Sequence, residues 1–120
     1  MKENVVRDKS MLFAIRLVNL YKLLCDKKEY VMSRQDLKAG TSIGANLTEA
    51  ECAISKKDFL AKVYIVFKEC AETGYWLELL FKTGFISKKG FESLNGDHEE
   101  IYKLLATITK TTKKKLEMKN

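Results

Sequence analysis

At 120 residues, with 46% apolar and 32% charged side chains, the chain has the size of one domain and enough apolar material for a core, which excludes global disorder. Proline is absent and there are only six glycines, so nothing interrupts long helices, and the formal charge of +6 calls for a location. No apolar run reaches the roughly 18 residues of a membrane span, and residues 1–9 carry no signal-peptide core, so a cytoplasmic protein without a membrane role is expected.

The first helix is predicted over about 8–28. At about 100° per residue, Phe13, Leu17, Leu20 and Leu24 form one stripe, and Met11, Ala14, Val18, Tyr21 and Cys25 form an adjacent one. Leu12, Ile15 and Leu23 fall outside even that double stripe. A single copy cannot hide so much apolar surface, so self-association is expected.

The second helix is predicted over about 33–54, opened by a cap of Ser33 with Asp36. Its buried side reads Leu37, Gly40, Ile43, Gly44, Leu47, Ala50 and Ile54. Gly40 and Gly44 share a face, and their propensity cost points to close approach of a neighbouring helix. The third helix, about 56–83, opens at Ser55 with Asp58 and closes at Gly84. Asp58 with Lys62 and Glu78 with Lys82 are i,i+4 pairs in the favourable order.

The fourth helix is predicted over about 87–112, with a basic tail at 113–120. Asn95-Gly96-Asp97 carries turn chemistry that could kink or split it. Four such helices joined by short loops give an all-α, antiparallel, up-down-up-down four-helix bundle filling residues 1–120 as one domain.

On that topology one end of the bundle collects Lys2, Arg7, Lys9, Lys56, Lys57, Lys110, Lys113, Lys114, Lys115 and Lys119 against Glu3, Asp8, Asp58 and Glu117. The opposite end is close to neutral. In a ring of side-by-side copies the basic ends would form one positive face able to meet phosphates. The nucleic-acid contacts are therefore assigned to Arg7, Lys56, Lys57, Lys110, Lys113, Lys114 and Lys115. No aromatic residue interleaves the lysine run, so backbone contact without sequence readout is the expectation.

Catalysis is not expected. The only histidine, His98, falls on the apolar side of the fourth helix, and no Glu-x-x-His repeat or phosphate-cradling loop is present. Cys25, Cys52 and Cys70 are widely spaced without a CxxC pair, and are expected as buried, reduced thiols. No cofactor, metal or small-molecule substrate is implied. Ser42, Asn46 and Glu49 share one face of the second helix, opposite Tyr64 and Lys68, and are expected to form a buried or interfacial hydrogen-bond network.

The run from Lys38 to Ala50, KAGTSIGANLTEA, resembles the signature of the four-helix-bundle proteins encoded by intervening sequences in bacterial 23S ribosomal RNA genes. Glu69 to Leu77, ECAETGYWL, resembles the second signature of that family, and Lys57-Asp58-Phe59 and Gly84-Phe85-Ile86-Ser87 fit as well. The resemblance implies a bundle assembled as a ring, with a homopentamer the expected state. It also implies kinship with the accessory variability protein of diversity-generating retroelements, which partners a reverse transcriptase and binds nucleic acid. Ser42, Asn46, Glu49 and Glu72 match signature positions and are read as structural. Asn95-Gly96-Asp97 departs from the family pattern. The function expected is an oligomeric protein binding RNA or a nucleic-acid-associated protein through its basic end; the alternative is a protein–protein scaffold with no nucleic-acid role.

Overall fold

The four apolar periodicities become four α-helices: α1 (Lys2–Asp26), α2 (Val31–Ala50), α3 (Lys56–Lys82) and α4 (Lys88–Met118). The structure, a computed structural model, describes residues 2–118, with side chains from residue 5; among these there is no strand. The side chains of Lys2 and Glu3, and residues 119–120 of the expected tail, lie outside the described residues.

Two helices end the same way. After α1 the Glu29 amide donates to the Leu24 carbonyl at 2.9 Å, and after α3 the Phe85 amide donates to Leu80 at 2.9 Å. Both closures need one residue in the left-handed region, supplied by Lys28 (φ 63°) and by Gly84 (φ 87°). Ser55 caps α3 as the sequence indicates, its hydroxyl accepting from the Asp58 amide at 3.0 Å, while Asp58 accepts from the Ile54 amide at 3.2 Å.

The cap of α2 is a different residue from the one expected. The helix starts at Val31, two residues before Ser33, and the Glu29 carboxylate accepts from the amides of Val31, Met32 and Ser33 at 3.1, 2.9 and 2.7 Å. A carboxylate that gathers three orphan amides outcompetes a single hydroxyl. Ser33 instead donates to the Glu29 carbonyl at 2.8 Å. Burial pushes the Glu29 carboxyl up, but these amide bonds outweigh it and hold the group below the ordinary carboxylate range.

Among the described residues α1 packs on α2 and α4, and α3 packs on the same two helices. The contacts follow an order. Arg7 pairs with Glu51 at 3.2 Å, Leu17 fills the space over Gly40, Lys9 pairs with Glu100, and Arg16 bonds Asp97 at 2.6 Å. Phe67 meets Tyr102 edge-on and Phe81 stacks on Phe91, with ring centroids 4.7 and 4.6 Å apart. Between them run the buried Phe13, Leu17, Leu24, Ile43, Val66, Leu77, Leu80, Ile101 and Leu105. Gly40 is the close approach that its spacing implied, since a methyl there would collide with Leu17; at Gly44 the Ser10 Cβ would be an ordinary 3.7 Å away. Cys70 is buried and its thiol is pushed up to about 12 by desolvation, but Cys25 is half-buried and Cys52 exposed. Cys52 departs from expectation because α2 ends at Ala50, which leaves it in the link.

Asp36 is the costly residue of the core. It is 2% exposed, and its Oδ1 has no hydrogen-bond partner among the described residues. Desolvation raises its pKa from 3.8 to about 8, so the folded protein keeps a proton that the unfolded chain releases. Unfolding is therefore favoured increasingly as pH rises from near 4 to near 8, by up to about 1.4 kcal/mol per pH unit, and the dependence flattens above that window. Urea titrations at pH 5 and pH 8 should show the wild type losing stability with rising pH and Asp36→Asn losing much less.

Candidate nucleic-acid interface

α4 is one uninterrupted helix through Asn95-Gly96-Asp97 and on to Met118, longer than the 87–112 expected, and the stretch read as a tail is helical through residue 118. Tertiary partners override the local turn chemistry. Asp97 accepts from Arg16 of α1, Asn95 donates to Glu99 at 3.2 Å, and the Ser93 hydroxyl accepts from Arg16 at 2.9 Å. Beyond Ile108 and Thr109, half-buried Thr112 and Leu116 continue the inward stripe, so the last turns are held to the core side.

Helix continuity rearranges the candidate site. At about 100° per residue, Lys113, Lys114 and Lys115 splay over some 200° and cannot act as one patch. Lys110 and Lys114 do share a side, together with Lys103, which was not among the expected contacts. These three are exposed and fall within about 40° of one another, on the side of α4 opposite Leu94, Ile101 and Leu105. They span about 16 Å along the helix axis. Glu99 and Glu117 lie on the same exposed side, about 20° round from Lys110, and bracket the three lysines along the axis. Spacing of seven and four residues would have revealed Lys103 had the helix been taken as continuous.

The other expected contacts fare unevenly. Arg7 is engaged by Glu51 at 3.2 Å and by Asp8 at 3.9 Å, so much of its charge is locally balanced. Lys56 and Lys57 are exposed in the first turn of α3. Arg7 lies on α1, beside the end of α2, and so is not part of the α4 row.

The expected polar network does not form among the described residues. The Ser42 hydroxyl donates to the Lys38 carbonyl at 2.7 Å and the Asn46 amide to the Ser42 carbonyl at 2.8 Å, both within α2, while Glu49 is exposed. Small polar side chains on a helix find their own preceding carbonyls more readily than a neighbour. Glu72 likewise accepts from Trp76 of its own helix at 3.0 Å. The signature residues that do bridge helices are glycines. Gly74 leaves room for the His98 ring, whose Cε1 would lie 2.6 Å from a methyl, and His98 Nε2 lies 2.7 Å from the Cys70 carbonyl oxygen.

Among the described residues no group of three or more His, Cys, Asp or Glu side chains could hold a metal ion. A groove of about 490 Å³ between α1 and α2 is lined by Arg7, Asp8, Ser10, Met11, Thr41 and Thr48, with Arg7 and Asp8 3.9 Å apart at its edge. No helix among the described residues is long and apolar enough to cross a membrane.

These features define an all-α, four-helix protein with a lysine row on the outer side of its last helix. Residues 2–107 match the 23S rRNA-intervening sequence protein family, and the chain belongs to that family. Lys110 and Lys114 lie beyond the matched residues. The chain is also similar to a solved structure from Bacteroides thetaiotaomicron VPI-5482, described as a protein of unknown function from the S23 ribosomal protein family. The two are 57% identical, with a TM-score of 0.89, over 92% of this chain and 99% of that one. Among curated proteins none matches.

Continuity of α4 has a direct test. Gly96 is exposed, and a methyl added there would meet nothing within 4 Å, so inside a helix Gly96→Ala should stabilise the protein by about 0.5–1 kcal/mol in urea denaturation. A loss of stability would mean that the chain turns there.

Proposed function

We propose that this chain is a non-catalytic cytoplasmic protein, an antiparallel four-helix bundle that assembles into a ring-like homo-oligomer of about five copies and binds RNA. The contact is to the RNA backbone, through Lys103, Lys110 and Lys114, with Lys56, Lys57, Lys113 and Lys115 adding to the local positive potential. The antiparallel arrangement is supported by the order of contacts, in which α1 and α3 each meet α4 at falling residue numbers, and by links of four or five residues. Family membership supports the RNA reading through the genes after which the family is named.

The observation that carries the reading is the alignment of the three lysines on one side of α4, away from the core. Three cations spaced about 10 and 6 Å apart along a helix suit successive phosphates and carry no base readout. The measurement is fluorescence anisotropy with a labelled single-stranded RNA of about 20 nucleotides across a salt series. Log affinity falls with log salt by about 0.7 per phosphate contact on a single strand, so Lys103→Glu/Lys110→Glu/Lys114→Glu should reduce the slope by about two and weaken binding more than tenfold at low salt. Arg34→Glu/Lys38→Glu/Lys89→Glu makes the same change in net charge at other exposed positions and should bind within threefold of wild type. Equal losses in the two variants would reduce the effect to net charge. Wild-type protein indifferent to RNA at every salt concentration would favour the scaffold function instead.

A further inference from the structure

α1 is apolar on two opposite sides. Val6, Phe13, Leu17 and Leu24 face the core, while Val5, Met11, Leu12, Ile15, Val18 and Leu23 are each a third or more exposed. The exposed set fills an arc of about 140° centred opposite the buried one. α3 repeats the arrangement, with Val63, Val66, Cys70 and Leu77 inside and Tyr64, Ile65 and Tyr75 outside, the last 61% exposed. Ala61, Ala71 and the exposed Lys68 lie among these outer side chains. α1 and α3 do not pack on each other, so the two outer faces lie on different corners of the molecule.

We propose that the outer face of α1 in one copy docks on the outer face of α3 in the next, head to tail, with Lys22 and Asp26 meeting Glu78 and Lys82. This rests on the bundle and oligomer of the preceding section, and names the surface that joins the copies. Two dissimilar patches on different corners favour a heterologous contact, which repeats around a ring, over a self-complementary pair.

The relative level of the two helices sets the register. Gly40 of α2 lies against Leu17, and a methyl on it would be 3.5 Å from Thr73, so residue 17 of α1 is level with residue 73 of α3. Through α4, Arg16 reaches Asp97, whose neighbour His98 bonds Cys70, giving nearly the same offset of 54 to 56 residues. In a cyclic assembly about an axis along the helices, side chains at one level meet across the contact. Lys22 then faces residues 76–78, and Asp26 faces residues 80–82. Glu78 and Lys82 stand there, exposed and paired with each other at 3.5 Å. Both charges find their opposites at the same register. In that register Ile15 falls opposite Ala71, large against small, and Val18 opposite the neighbourhood of Tyr75. Desolvation of the apolar stripe provides the driving force and the charge box sets the alignment.

The test uses two surface variants, Leu12→Glu and Tyr75→Glu, with masses from light scattering after size exclusion and far-UV circular dichroism to verify the fold. Wild type is expected as an oligomer larger than a dimer, and each variant alone as a monomer. An equimolar mixture should form a dimer and stop there, because the first variant keeps an intact α3 face and the second an intact α1 face. Lys22→Glu should weaken assembly at least tenfold, and Lys22→Glu/Glu78→Lys should restore it. Wild-type oligomers that survive both single substitutions would overturn the docking proposal while leaving the oligomer standing. A monomeric wild type would overturn both.

Discussion

The apolar excess on α1 constrains everything else in this protein. A helix in a four-helix arrangement touches two neighbours and can bury little more than one side. α1 spends that side on Phe13, Leu17 and Leu24 and still carries Met11, Leu12 and Ile15 outside, more than half, or half, exposed. Burial of apolar area at about 25 cal/mol per Å² makes such a stripe a strong driver of association. The lysine row on α4 is on neither of the two apolar faces, so the proposed docking would leave it open. In the proposed assembly one surface would join copies, and the other would be repeated by the joining.

Stability and specificity are traded within the core. Gly40 admits Leu17 and Gly74 admits His98, so two helix-weakening residues are compensated by close packing of the elements they separate. Asp36 is the reverse case, a buried carboxyl that destabilises the fold increasingly as pH rises toward 8. The long-range pairs Arg16–Asp97, Lys9–Glu100 and Arg7–Glu51 are all partly exposed, and their main physical effect is to hold the register of α1 against its neighbours.

Much of the architecture was legible because it is encoded locally. Ser55 with Asp58, Gly84 at the end of α3, and the i,i+4 pairs of α3 are all where their spacing places them. The exposed second face of α1 was legible from periodicity as well. What escaped was decided by groups outside the local window. Glu29 caps α2 from before its first residue, displacing the expected Ser33 cap. Arg16, seventy-seven residues from Ser93 and eighty-one from Asp97, straightens α4 through a turn-forming sequence. Ending the fourth helix at 112 split one helix face into a helix and a tail, and Lys103 went unassigned beside Lys110 and Lys114. Ser42 and Asn46 turned to their own backbone, an outcome that residue spacing alone does not distinguish from a network between helices.

On the docking proposed above, the outward apolar face of α1 is covered in solution by another copy. Small-angle X-ray scattering of the wild-type protein at micromolar concentration tests it most directly. A single copy has a Cα radius of gyration of 15.3 Å. A scattering radius well above that value and a forward intensity of several chains are expected. A radius close to 15.3 Å with the intensity of one chain would contradict it.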